Sequence, residues 1–218
     1  MSTFLTPIHT WIFNKIILFE DIERAFSKAY ILKYGETAKT IINQSKLYGE
    51  MINIDKNLED IIDLNDVNGW FQNKIANAET RQAFIITELK KIYGEEVEEI
   101  AAKFYRDNGV KCGLMSKEKE NPNNVIDIFN SMNNYLLEGM PCDEVQSIIT
   151  KKDNIIEWCN SRCIHKSNYD KIGGNVDMFY RLRFQWLASF VRQVNNKYKF
   201  EYDNSLNKVI YKIIKVVD

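Results

Sequence analysis

With 45 % apolar and 12 % aromatic residues, a chain of 218 residues can bury a sizeable core, which excludes an intrinsically disordered protein. Its 29 basic and 30 acidic residues leave a net charge of −1 and no basic block, so no nucleic-acid partner is expected. Charges at Lys15, Glu20 and Asp21 interrupt the first apolar stretch well before the roughly 20 residues of a membrane span, and no basic-then-apolar leader precedes them.

The expectation is therefore a cytoplasmic protein with no membrane partner. Four cysteines, Cys112, Cys142, Cys159 and Cys163, in a chain of this length then read as free thiols and not as a disulfide framework. Abundant Asn, Lys and Ile with three prolines match the composition of AT-rich coding sequence, which points to a bacterial source.

Taken in order, Trp11, Ile12, Ile16, Phe19, Ile22, Phe26, Tyr30 and Ile31 recur near a helical period, predicting an amphipathic helix over Ile8 to Tyr34 that Gly35 stops. A weaker helix over Thr37 to Tyr48 closes at Gly49. Met51 to Asn68, rich in Asn and Asp, reads as a connection with one short helical turn. Phe71, Ile75, Ala78, Ala83, Ile86 and Leu89 predict a helix from Trp70 to Tyr93, ended by Gly94. Glu95 to Arg106 predict another, its acidic start suiting the positive end of the helix dipole. Asp107 to Asn124, with Gly109, Gly113 and Pro122, reads as an exposed loop or frayed end. Asn124 is a candidate cap for a helix reaching about Glu138.

After Pro141 the pattern becomes extended. Val145 to Thr150 and Asn154 to Cys159 read as a β-hairpin around Lys151-Lys152-Asp153. A short helix over His165 to Ile172 precedes Gly173-Gly174, and a long helix follows from Val176 to Asn195. Tyr198, Phe200 and Tyr202 alternate with Lys197, Lys199 and Glu201, predicting a strand with one aromatic face. Asp203-Asn204-Ser205 turns the chain into a last strand, Lys208 to Val216. The fold class is thus α+β: N-terminal helices, then a β-β-α-α-β-β unit whose antiparallel sheet packs on the long helix. Residues 1–68 read as a helical extension and 69–218 as a ligand-pocket domain.

Four residue patterns bear on chemistry. Cys159, Cys163 and His165 place two thiols and an imidazole within seven residues, but the spacing matches no standard zinc module, so no metal is assigned. Cys163, just before a short helix and two residues from His165, is a candidate nucleophile with His165 as its proton carrier; the alternative is an idle or buried thiol. On the long helix Phe179, Leu182, Trp186, Leu187, Phe190 and Val194 form a core stripe, and Arg183 falls on or beside it. A guanidinium there fits a ligand carboxylate, with Tyr180 beside it, or else an internal acid. Tyr198 and Tyr202 read as core aromatics unless a cavity adjoins them, in which case Tyr198 becomes a candidate ligand contact. Glycine-rich phosphate loops, Gly-x-Ser-x-Gly and His-Glu-x-x-His are all absent, and no cofactor is expected.

The order of a helical segment TELKKIYGEEVEEIAAKFYRDNG, a strand ending in cysteine (IIEWCNSRC), a short helix (HKSNYDKIGG), a long helix (VDMFYRLRFQWLASFV) and two closing strands (KYKFEYDNSLNKVIYKIIKV) resembles the L-2-amino-thiazoline-4-carboxylic acid hydrolase-like family over Trp70 to Val217. The resemblance implies a sheet-and-helix domain holding a small carboxylate-bearing ligand and, in some members, hydrolytic ring opening at cysteine-containing sites. Cys163 carries over. Tyr180 and Arg183 stand where the family has a cysteine and an acidic residue, and Tyr211 or a neighbour stands at its last-strand cysteine. The resulting expectation is a hydrolase-like protein acting on a small carboxylated heterocycle or amide through Cys163, His165, Arg183 and Tyr180. A non-catalytic small-molecule sensor with the same cavity, and an interaction protein homodimerising through its N-terminal helices, are the alternatives.

Overall fold

The computed structural model describes residues 5–204 and 209–216, and it is an α+β protein with several N-terminal helices and one four-stranded antiparallel sheet. The chain divides into two compact units. One holds the residues up to Phe104 together with Leu137–Met140 and His165–Phe179; the other holds Tyr105–Leu136, Pro141–Ile164 and the chain from Tyr180 onward.

In the first unit, helix α1 spans Pro7–Ser45, and His9 Nδ1 accepts the Thr6 backbone N–H at 2.9 Å at its start. Gly35 breaks its regularity with φ 62° and ψ −136°, a conformation that a residue with a Cβ adopts at a cost. The two helices expected on either side of Gly35 are therefore two segments joined at a kink. A 3-10 turn over Lys46–Tyr48 and a single helical turn, α2 (Leu58–Ile61), lead to α3 (Val67–Tyr93). Ile12, Phe13 and Ile16 of α1 pack in one core cluster with Phe71 and Ile75 of α3 and with Leu137 and Met140. Each such side chain, fully buried, contributes about 1.5–3 kcal/mol of transfer free energy. Of the stripe read from the sequence of α1, Ile12, Ile16, Ile22, Phe26 and Tyr30 are buried, whereas Ile31 is exposed.

The middle of α3 departs from an ordinary core helix. Glu79, Thr80, Arg81 and Gln82 are consecutive and all buried. Arg81 resolves part of this: its Nη2 donates to Glu20 Oε1 at 2.5 Å, its Nε to Glu23 Oε1 at 3.0 Å, and its Nη1 to the Gly49 carbonyl at 3.0 Å. Gln82 Nε2 donates to the Phe19 carbonyl at 2.9 Å. A buried charge needs such a complete set of partners.

Helix α4 (Glu96–Lys119) corrects the sequence reading: the stretch after Asp107, taken as an exposed loop, is helical as far as Lys119. Its glycines are not breaks but points of close approach to α7 (Val176–Val194). A Cβ on Gly109 would lie 2.5 Å from the Trp186 carbonyl oxygen, and one on Gly113 would lie 2.9 Å from that of Phe190. Two helical glycines cost about 1 kcal/mol each relative to alanine. Burial of Tyr105, Cys112, Trp186 and Phe190 at this crossing outweighs that. Trp186 Nε1 also donates to Asn108 Oδ1 at 2.8 Å, and Ser116 and Ser131 share a hydrogen bond at 2.6 Å.

Helix α5 (Val125–Asn133) is capped by Asn124, whose side chain accepts from the Ile126 and Asp127 amides, as its sequence suggested, but it ends before the expected Glu138. Strands β1 (Gln146–Lys152) and β2 (Ile155–Asn160) form the expected hairpin. Between them and β3 (Tyr198–Asp203) come α6 (Lys166–Asp170) and α7; β4 (Ile210–Lys215) completes the sheet in the order β1-β2-β4-β3, antiparallel throughout. The expected turn residue Ser205 and strand start Lys208 lie outside the described residues. Register places Trp158, Tyr211 and Tyr202 in one row, and Glu157, Lys212 and Glu201 in the neighbouring row on the opposite face. Alternation along the strands therefore makes one face aromatic and the other charged.

Candidate active site beneath helix α7

The aromatic face of the sheet lies against the part of α7 that belongs to the second unit. Phe184 of α7 packs on Tyr202 with ring centroids 3.9 Å apart and edge-on to Tyr211 at 5.9 Å. Trp158 stacks on Tyr211 at 5.4 Å and meets Phe129 of α5 edge-on at 4.9 Å. Helical periodicity puts Tyr180, Arg183 and Phe184 on this side of α7, because positions three and four apart share a face.

Three polar groups gather at this wall. The Tyr180 hydroxyl donates to Cys163 Sγ at 3.1 Å, and the Cys163 side chain is exposed. Arg183 is buried, at 4 % exposure, close enough to act on Tyr211. Burial pushes the Tyr211 phenol above its ordinary value; Arg183 pulls it back, and Cys163 and Cys159 add to the rise. A guanidinium and a thiol thus each lie within electrostatic range of the Tyr211 phenol, with Tyr180 linked directly to the thiol. The Tyr180 phenolic O–H is positioned beside the sulfur, the atom that would act as a nucleophile.

The other sequence-picked residues have different partners. His165, fully buried, is held in the first unit: its Nδ1 lies 2.9 Å from Glu79 Oε1 and its Nε2 lies 3.4 Å from Glu138 Oε1. Asn168 Nδ2 donates to the second oxygen of Glu79 at 2.8 Å, and the Phe179 ring covers the imidazole at 4.4 Å. Both ring nitrogens therefore face carboxylates. Tyr198 is buried, with its hydroxyl donating to the Asn123 carbonyl at 3.0 Å, which pins the loop before α5. Cys159 is buried in β2. Among the described residues, no three His, Cys, Asp or Glu side chains gather as a metal site requires, and no helix is long and apolar enough to cross a membrane.

Some contacts escaped the sequence reading. Tyr211 entered only through its place in the family pattern, and its own alternation with Ile213 on β4 was the signal that it faces the long helix. Glu79 and Glu138 gave no local sign of pairing with a histidine 86 and 27 residues away. No family model, no curated protein and no solved structure matches this chain.

Proposed function

We propose that the protein is a cysteine-dependent hydrolase of small, carboxylate-bearing heterocycles or amides, working in the space between α7 and the aromatic face of the sheet. The observation that carries this reading is the 3.1 Å contact from the Tyr180 hydroxyl to the exposed sulfur of Cys163, on the same unit as buried Arg183 and Tyr211. Arg183 anchors the carboxylate of the substrate, since its planar fork matches a carboxylate in two parallel hydrogen bonds. The aromatic rings of Phe184, Tyr202 and Tyr211 supply apolar walls.

In the reaction, the Cys163 thiolate adds to the carbonyl or amidine carbon of the substrate. The carbon–nitrogen bond breaks with its electron pair on nitrogen, and the Tyr180 hydroxyl supplies the proton that nitrogen requires. Water then attacks the resulting thioester-like carbon, returning a proton to Tyr180 and releasing the thiolate, so the net change is addition of one water. His165, with both nitrogens turned to carboxylates, holds the segment that follows Cys163 and does not carry the proton.

Incubation with a panel of cyclic imino- and thiazoline-type carboxylic acids tests this, read by mass spectrometry of products and of the intact protein. Turnover that is lost in Cys163→Ala and slowed in Tyr180→Phe supports the reading. Turnover that survives in Cys163→Ala overturns the nucleophile. Tight binding without turnover points instead to a carrier or sensor of the same ligand class.

A further inference from the structure

A second concave site lies in the same unit, built from the last turns of α4 and α7 and the loop between α4 and α5. It is a cleft of about 710 Å³, within the size range of small-molecule sites. Lys117 and Arg192 reach it from the two helices, and neither forms an ion pair among the described residues. Among the described residues, no Asp or Glu lines it. Arg24, Arg81, Lys90 and Lys212 each have a carboxylate beside them; Lys117 and Arg192 do not, and both border one cleft. A position in the last turn of a helix would account for either cation alone, through the helix dipole. It does not account for their sharing an acid-free concavity.

The remaining polar lining is made of amides and a hydroxyl: Asn121, Asn123, Gln193, Asn195 and Asn196, with Ser189. Each primary amide offers both donors and acceptors, the complement of a row of sugar hydroxyls, whereas a bare inorganic anion has only acceptors to offer. The frame is fixed before any ligand arrives. Asn123 Nδ2 donates to the Asn121 carbonyl at 2.8 Å, the Tyr198 hydroxyl holds the Asn123 carbonyl, and Asn195 Oδ1 accepts the Lys197 amide at 3.1 Å. Pro122 and Val194 supply an apolar floor on which the C–H face of a sugar ring can rest. None of these residues is shared with the Cys163 site.

We propose that this cleft binds a small polyhydroxylated anion, a sugar phosphate or a sugar acid, with Lys117 and Arg192 on the anionic group and the amides on the hydroxyls. Calorimetric titration of the full chain with glucose 6-phosphate, glucuronate, glucose and inorganic phosphate tests it. The expected result is binding of glucose 6-phosphate or glucuronate with a dissociation constant at or below about 1 mM, with glucose and inorganic phosphate each weaker by about tenfold or more. Lys117→Gln combined with Arg192→Gln should weaken the charged sugar by about tenfold or more while leaving the thermal midpoint unchanged, because both side chains are exposed. Cys163→Ala should leave the binding intact, which separates this site from the one beneath α7. Failure of both charged sugars to bind, binding untouched by the double substitution, or inorganic phosphate binding as tightly as glucose 6-phosphate would each overturn the proposal.

Discussion

Tyr180 donates its hydroxyl to the sulfur of Cys163 at 3.1 Å, joining the first turns of α7 to the segment that leaves strand β2. Cys163 and Cys142 are exposed, whereas Cys112 and Cys159 are buried. A disulfide-exchange reagent should accordingly titrate two thiols quickly in the native protein and four after unfolding. Tyr180→Phe should slow the faster of the two native reactions by several-fold, the size of one lost hydrogen bond of about 1 kcal/mol, and leave the other unchanged. Equal rates in the variant and the parent would show that the phenol does not act on the thiol.

His165 holds two carboxylates that have no exposure to fall back on at Glu79 and little at Glu138. His165→Leu should therefore destabilise the protein by about 3 kcal/mol or more, because it removes one partner from each of two buried or nearly buried carboxylates. Glu79→Leu on top of it should cost less than the sum of the two single changes, since both remove the same His165–Glu79 contact. Urea unfolding of the three variants measures this, and simple additivity would contradict it.

The Arg81 site makes a prediction about pH. One guanidinium serves two buried carboxylates, and Glu20 has the fuller set, with Arg81 at 2.5 Å, the Ile52 amide at 2.9 Å and Arg24 at 3.3 Å. Burial pushes Glu23 up from 4.5 to about 7, against the pull of Arg81. A carboxyl raised on folding keeps its proton where the unfolded chain has released it. Its contribution to stability is thus whole below about pH 4.5 and is lost as the pH rises through about 7. Glu23→Gln, which copies the protonated form, should lose less stability than the parent between about pH 5 and pH 8. Parallel pH profiles would contradict this assignment.

Gly109→Ala pits two effects against each other. Alanine gains about 1 kcal/mol of helix propensity. Its Cβ would lie 2.5 Å from the Trp186 carbonyl, backbone that cannot swing aside, and overpacking of this kind costs about 1–3 kcal/mol. The clash should win, lowering the thermal midpoint; a raised midpoint would show that α4 and α7 can separate freely here.

Much of the architecture was legible because its determinants are local. Gly35, Gly49 and Gly94 end or kink helices where the periodic apolar residues run out, Asn124 caps α5 with its own side chain, and Tyr198, Phe200 and Tyr202 announce a strand by alternation. The continuation of α4 was not legible. Gly109 and Gly113 look like breakers until α7, some 75 residues later, is laid against them. The same misreading hid the polar cleft, since five of its eleven lining residues come from that stretch. At the candidate site, Cys163, Tyr180 and Arg183 were visible as residues out of keeping with their surroundings. The partners of His165 were not, because nothing in a sequence marks which of 30 acids a buried imidazole will meet.

The most direct test of the proposed site compares alkylation of Cys163 by iodoacetate and by iodoacetamide, with exposed Cys142 as the internal reference in the same sample. Peptide mass spectrometry at short times gives the rate at each thiol. If Arg183 anchors a carboxylate beside the Cys163 sulfur, the iodoacetate-to-iodoacetamide ratio at Cys163 should exceed that at Cys142 by about tenfold or more, and Arg183→Gln in a folded variant should erase the excess. Equal ratios at the two cysteines would contradict the account.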